Sequence, residues 1–423
     1  MTNSQLIKTF LFLCFASTNL NAQSLIKGRA SDVGMSASSL NKIDATMQSY
    51  IDENRLADIE VLVARKGNIV YNKSFSKNSA KNNSLYRIAS MTKPITSVAI
   101  MMLIERGQLK LADPVSLYIP EFKKSKVLND NASDKKIPYI LVNAEREITV
   151  KDLLTHTSGI IYTFLKVKHL SKLYHENGVS DGLDNSIGFI GDNVKKIAKL
   201  PLKHQPGKHF TYGLSTDVLG YLVEVVSKQT LSQFFQQEIL GPLKMKDTHF
   251  YISEEKFARL VPLYTPDEKI GIRKINDEKD KSNLVTRFKN TGKESYFSGG
   301  GGLVSSANDY ARFLQMMLNK GVLDGIQILQ TESVELMYEN HIEDIEQGDK
   351  NFRFGLGFMI HNKPKASESL PEGSLSWGGI FHTKFWIDPT NEIIGVSMAQ
   401  KFPAPKSDVH EKFKALVYEA LTE

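Results

Sequence analysis

Tyr86-Arg87-Ile88-Ala89-Ser90-Met91-Thr92-Lys93-Pro94-Ile95-Thr96 leads from a short apolar segment into a helix. Pro94 suits only a helix's first turn, so the helix starts here. Ile95, Val98, Ala99, Met102 and Leu103 carry it to about Glu105, and Gly107 ends it. Apolar residues lie on most of its sides, which predicts burial. Positions three apart on a helix share a face, so Lys93 is expected beside Ser90. A serine hydroxyl is a poor nucleophile until a neighbour accepts its proton. A lysine so placed can act as that base, or as the electrostatic partner of another base. The positive end of the helix dipole also favours negative charge at this point. Two residues at this spacing are common in sequences, and a capping serine with a surface lysine would look the same. The apolar helix behind them gives a lysine here a reason to be held inside.

Outward from this stretch the chain changes character twice. Before it, Ser36 to Ile51 carries Leu40, Ile43, Met47 and Ile51 near helical spacing. The runs Glu60 to Arg65 and Ile69 to Tyr71 flank Lys66-Gly67-Asn68 and predict a hairpin. After it, residues 110–295 hold mostly helical patterns, among them Val150 to Thr155 and Asp217 to Ser227. Polar loops are expected over 123–147 and 266–294. Beyond Gly299-Gly300-Gly301-Gly302 a helix is predicted over Asn308 to Asn319. Strand-like runs return at Phe354 to Ile360, Lys384 to Ile387 and Ile393 to Met398, and a helix covers Asp408 to Leu421. This order predicts an α/β (α+β) protein whose sheet draws on both chain ends. Residues 23–95 and 296–423 would form the sheet domain, and 96–295 a mainly helical region inserted between them.

Composition removes several classes of function. The net charge of +6 is spread over 423 residues, without the clustered basic stripe and stacking aromatics of a nucleic-acid binder. Residues 1–22 read as an export signal, with Lys8, the apolar run Phe10 to Ala16, and Ala22 before the cut. A periplasmic or secreted protein is expected. That run is too short to span a bilayer, and no later stretch reaches spanning length. Cys14, the single cysteine, lies inside the signal. The mature chain would then have no thiol nucleophile, disulfide or cysteine-ligated metal. No H-E-x-x-H, no G-x-S-x-G and no phosphate-loop spacing occurs, so no metal or cofactor is expected. A small molecule is the expected partner, and the family resemblance that follows implies an ester or amide.

Further blocks support a resemblance. Glu105-Arg106-Gly107-Gln108-Leu109-Lys110-Leu111-Ala112-Asp113-Pro114-Val115 follows the Ser90 segment, and Ile148 to Gly159 includes Leu153-Leu154-Thr155-His156-Thr157-Ser158-Gly159. Then come Gln205-Pro206-Gly207, Phe210-Thr211-Tyr212-Gly213-Leu214-Ser215, Gly300-Gly301-Gly302-Leu303-Val304-Ser305 and Trp377-Gly378-Gly379. Together with Phe385-Trp386-Ile387-Asp388-Pro389, these resemble the serine β-lactamase-related family in content and order. The family includes class C β-lactamases, family VIII carboxylesterases, D-amino-acid-releasing peptidases and some acyltransferases. The resemblance implies a β-lactamase/transpeptidase-like antiparallel sheet flanked by helices, with an all-helical insertion. It implies Ser90 as acyl-accepting nucleophile, Lys93 as its partner and Tyr212 as the phenol that shuttles the proton. A nearby ammonium favours the phenolate such a shuttle passes through. Trp377-Gly378-Gly379 would be the strand beside the nucleophile, its small residues letting substrate approach the backbone. The amides of Ser90 and Ile380 would form the oxyanion hole. His156 is read as scaffold.

Three departures bear on substrate. Trp377 stands where many relatives have lysine or histidine, which removes a cation for a β-lactam carboxylate. Leu214 stands where β-lactamases have an asparagine, and cannot hydrogen-bond an acylamino side chain. His382-Thr383 stands where Gly-Thr is common, and His382 would line the pocket or face solvent. Leu214, Trp377, Gly378 and Gly379 are thus expected to bind substrate. The expected activity is a carboxylesterase acting on small or apolar esters through an acyl-enzyme. A β-lactamase, D-amino-acid peptidase or acyltransferase is the alternative within that chemistry. A catalytically silent, penicillin-binding-like sensor is the alternative outside it.

Overall fold

The computed structural model describes residues 24–77, 83–129, 139–183, 188–280, 284, 288–289, 295–343, 345, 352–362, 370–404 and 407–422. The export signal read in residues 1–22 lies outside them.

Alternation along β2 (Asp58–Arg65) sends Ile59, Val61 and Val63 to one side of a sheet and Leu62 and Ala64 to the other. Lys66 and Gly67 both take positive φ, 49° and 73°, the conformation a tight hairpin needs between β2 and β3 (Asn68–Ser76). The short β1 (Ile26–Lys27) adds to β3 in parallel. The chain's other end supplies β4 (Arg353–Phe354), β5 (Met359–Ile360), β6 (Leu375–Gly379), β7 (Thr383–Asp388) and β8 (Ile393–Met398). These give one eight-stranded sheet, ordered β1-β3-β2-β8-β7-β6-β5-β4 and antiparallel apart from β1. The two chain ends join where β8 pairs with β2, with Val61 opposite Ser397.

Helices cover both faces. Helix α1 (Lys42–Asp52) and the C-terminal α5 (Val409–Glu419) pack on the side carrying Val61, Val63 and Trp386. The other side carries Leu62, Val396 and Phe385, and packs on α2 (Thr92–Glu105) and α4 (Ala307–Leu318). Helix α2 is buried at every position from Thr92 to Leu103, as its all-round apolar pattern requires.

Between the two parts of the sheet lies α3 (Ser215–Ser227), with shorter helices at Val150–Leu154, Lys168–Glu176 and Ile190–Ala198. This region is not all-helical. Lys126–Asn129 pairs with Ile140–Asn143 inside the first stretch expected to be a loop, and Tyr264–Asp267 pairs with Gly271–Lys274 across the start of the second. Strands of four residues, one containing Pro266, are too short for a period of two to show in the sequence. The run Phe354 to Ile360 is likewise two short strands, β4 and β5, around a turn. Among the described residues no helix is long and apolar enough to cross a membrane.

Candidate active site

Ser90 sits in a single 3₁₀ turn, Ala89–Met91, that runs directly into α2. Ala89 before it has φ 41°, a left-handed conformation a side chain rarely adopts, so the chain bends sharply into the nucleophile. The bend is clamped from several sides. Tyr86 and Arg87 pair with Ser305 and Val304, and the Ile88 N–H donates to the Leu303 carbonyl at 3.1 Å. Tyr310 Oη donates to the Met91 carbonyl at 2.8 Å, and Thr96 Oγ1 to the Gly299 carbonyl at 2.7 Å.

Lys93 is only 2% exposed. Its Nζ donates to Ser90 Oγ at 3.1 Å, to Tyr162 Oη at 2.9 Å and to the Gly300 carbonyl at 2.7 Å. Three acceptors match the three protons of an ammonium. A buried charge requires such a complement. Behind Gly300 the fully buried Asp217, in the first turn of α3, accepts the Gly300 N–H at 3.3 Å. Burial, then the Tyr212 hydroxyl and the Asp217 carboxylate, raise Tyr162 well above the usual phenol value, so it stays protonated.

Tyr212 enters from the segment before α3, and its Oη donates to Ser90 Oγ at 2.7 Å. Gly213 allows this approach, since a Cβ there would stand 2.1 Å from the Ile160 carbonyl oxygen. The Tyr212 ring lies 4.8 Å from the His156 ring, 5.5 Å from the Trp377 ring and 4.7 Å from Lys93 Nζ. His156 packs on the Tyr212 ring as scaffold. It accepts the Gly213 N–H at 3.4 Å, and burial followed by the charge of Lys93 keeps its ring neutral. Ser90, Lys93 and Tyr212 are thus one hydrogen-bonded set, with Tyr162 and Asp217 in its support. Neither of the latter two was marked in the sequence. Tyr162 lies three residues past the Thr155-to-Gly159 block, and Asp217 reads as a helix start; nothing local distinguishes either.

Ser90, Tyr162 and Tyr212 of this set line a cavity of about 480 Å³. Phe164, Leu183, Met359, Trp377 and Ile380 make most of its wall apolar, and Gly378 and Gly379 also line it. Gly379 must lack a side chain. A Cβ there would come within 2.3 Å of the Ile88 carbonyl oxygen, so only glycine lets β6 close against the nucleophile segment. Ile380 follows at the start of the β6–β7 turn, which the His382 N–H closes onto the Gly379 carbonyl at 3.0 Å.

Leu214 is a correction. It is fully buried at the N-terminal end of α3 and does not line the cavity. The chain turns into the helix there, which directs the residue after Gly213 into the core. His382 is another: it faces neither the cavity nor solvent. At φ 74° and 8% exposure it joins a chain of contacts behind the β6–β7 turn. Its Nε2 is 3.0 Å from Ser407 Oγ, its Nδ1 3.3 Å from His410 Nε2, and His410 Nδ1 is 2.8 Å from Ser397 Oγ. Neutral imidazoles satisfy this chain with one donor each; protonation would oppose two donors.

Burial, then Lys401 and Lys384, push His382 down from 6.5 to about 4. The folded state therefore binds fewer protons here than the unfolded chain, and stability falls as pH drops from 6.5 towards 4. The loss reaches up to about 3 kcal/mol, at roughly 1.4 kcal/mol per pH unit. His382→Gln should flatten this acid limb in urea midpoints measured across pH 4–7. An acid limb parallel to wild type would rule the account out.

A profile of the family described as Beta-lactamase matches residues 43–419. An uncharacterised protein of Mycobacterium tuberculosis is 35% identical over 338 residues, covering 76% of this chain and 79% of its own. Esterase EstB of Burkholderia gladioli is 29% identical over 367 residues, covering 83% and 88%. Among solved structures, EstCE1, described as a hydrolase with promiscuous acyltransferase activity, superposes with a TM-score of 0.76. It is 26% identical, and the match covers 90% of this chain and 99% of that one.

Proposed function

The chain belongs to the Beta-lactamase family, and on that footing we propose that it is a carboxylesterase working through an acyl-enzyme on Ser90. One observation carries this reading: Ser90 Oγ is hydrogen-bonded to both Lys93 Nζ and Tyr212 Oη at the floor of an apolar cavity.

The steps follow from which groups have room for a proton. Lys93 already directs three donors at three acceptors, so it acts as a fixed positive charge. Tyr212 Oη, having given its own proton to water entering the cavity, takes the Ser90 proton across 2.7 Å, with the Lys93 ammonium 4.7 Å from its ring. Ser90 Oγ then bonds to the ester carbonyl carbon. The carbonyl oxygen gains negative charge between the N–H groups of Ser90 and Ile380. Collapse breaks the bond to the alkoxy oxygen, which leaves as alcohol with the proton from Tyr212. Water enters by the same route, giving its proton to Tyr212, and releases the acid and Ser90.

The wall favours an ester over a lactam or peptide. Trp377 puts an indole packed against Tyr212 and Phe354, with ring centroids at 5.5 and 5.3 Å, where a cation would be needed beside the scissile bond. Relatives named as esterases agree with this choice. A rate panel tests it. On 4-nitrophenyl butyrate, kcat/KM should exceed that on nitrocefin by about a hundredfold or more, a difference of roughly 3 kcal/mol in transition-state binding. Faster opening of nitrocefin would replace the esterase reading with a lactamase.

A further inference from the structure

The apolar cavity has one charged corner. Lys384 on β7 is paired across the strands with Gly378 and lines the cavity beside it. A Cβ on Gly378 would lie 3.8 Å from Lys384 Cγ, so the lysine stem lies along the surface a side chain would otherwise occupy. Its ammonium meets Glu411 of α5 at 2.7 Å.

The charges around this corner do not cancel. Glu411 is also held by Lys414, so two ammonium groups share one carboxylate. Lys401 adds a further positive charge, felt at His382 together with that of Lys384. His382 and His410, packed behind, are neutral and contribute none. Asp181, which also lines the cavity, keeps its negative charge while accepting the Thr163 N–H at 2.8 Å and the Thr163 hydroxyl, and it belongs to the Thr163 side of the cavity rather than to the β6–β7 turn. The excess at the β6–β7 corner is therefore positive, and Lys384 is the part of it that reaches the cavity. Its side chain is 36% exposed, open enough to take a second anionic partner.

We propose that Lys384 selects amphiphilic esters, with an apolar body against Trp377 and Phe164 and a carboxylate reaching across Gly378 to the ammonium. This rests on the esterase reading above and names its substrate class. The cation missing at Trp377 is supplied from the neighbouring strand, displaced along the wall, so that it meets a group set apart from the scissile carbonyl.

The test compares 4-nitrophenyl butyrate with two carboxylated esters: 4-nitrophenyl hydrogen glutarate, charged on the acyl side, and 5-butyryloxy-2-nitrobenzoate, charged on the leaving side. Lys384→Met should lower kcat/KM about tenfold on at least one carboxylated ester, the size of one charge-assisted hydrogen bond, and less than twofold on the neutral ester. Lys384→Arg should keep the preference, and Glu411→Gln should sharpen it by freeing the ammonium. If Lys384→Met lowers all three rates equally, or none, Lys384 does not select charge while the esterase reading stands. If wild type turns over none of the three, both fall.

Discussion

Ser90→Ala is expected to lower kcat/KM on 4-nitrophenyl butyrate by about 10⁴-fold or more, since loss of the nucleophile leaves only binding and oxyanion stabilisation. The fold should survive the change. Ser90 is half-buried in a 3₁₀ turn, and the contacts that clamp the turn come from the Tyr310 hydroxyl, the Thr96 hydroxyl and the Leu303 carbonyl, none of which uses Ser90 Oγ. The substitution frees one proton of Lys93, which keeps Tyr162 and Gly300 as acceptors. An unmet buried donor costs about 1–3 kcal/mol, so melting temperature should fall by a few degrees while the protein stays folded. A fluorophosphonate probe should label wild type and leave the variant unlabelled. Activity within tenfold of wild type would remove Ser90 from the reaction.

Tyr212→Phe deletes one oxygen and should lower kcat by about 10²- to 10⁴-fold with little change in KM, the range for loss of a general base and acid. The separation from stability is clean here because the ring is held by packing. Its contacts to His156, Tyr162 and Trp377, at 4.8, 5.3 and 5.5 Å, survive in phenylalanine. What disappears is the 2.7 Å bond to Ser90 Oγ, the path for the proton. A variant that keeps most of its kcat would pass the proton role to Lys93, and would require one of that lysine's three hydrogen bonds to break during turnover.

Legibility in the sequence followed the distance over which a contact forms. Ser90 and Lys93 lie on successive positions of one helix face, so spacing alone suggests the pair. Tyr212 meets Ser90 from 122 residues away, and only a family resemblance could connect them. Tyr162 and Asp217 gain their places from how α2, α3 and the Gly299–Gly302 loop pack, and no local pattern encodes that packing. Leu214 is expected at substrate only because β-lactamases have an asparagine in that place, whereas the helix start turns it inward. The sheet was readable at both ends because β2, β7 and β8 are long enough to alternate. The strands of the Lys126–Asn129 and Tyr264–Asp267 hairpins were not, being only four residues long.

The joining of β2 to β8 also sets when the site comes into being. Ser90 is synthesised early, but Ile380 and the wall strand lie 290 positions later (380 − 90), and β8, which attaches that wall to the N-terminal hairpin, later still. At a ribosomal pace of about 5–20 residues per second, roughly 15–60 s separate the nucleophile from its wall. Throughout that interval the serine stands without the strand that walls its cavity, and the site exists only once both ends of the chain have met.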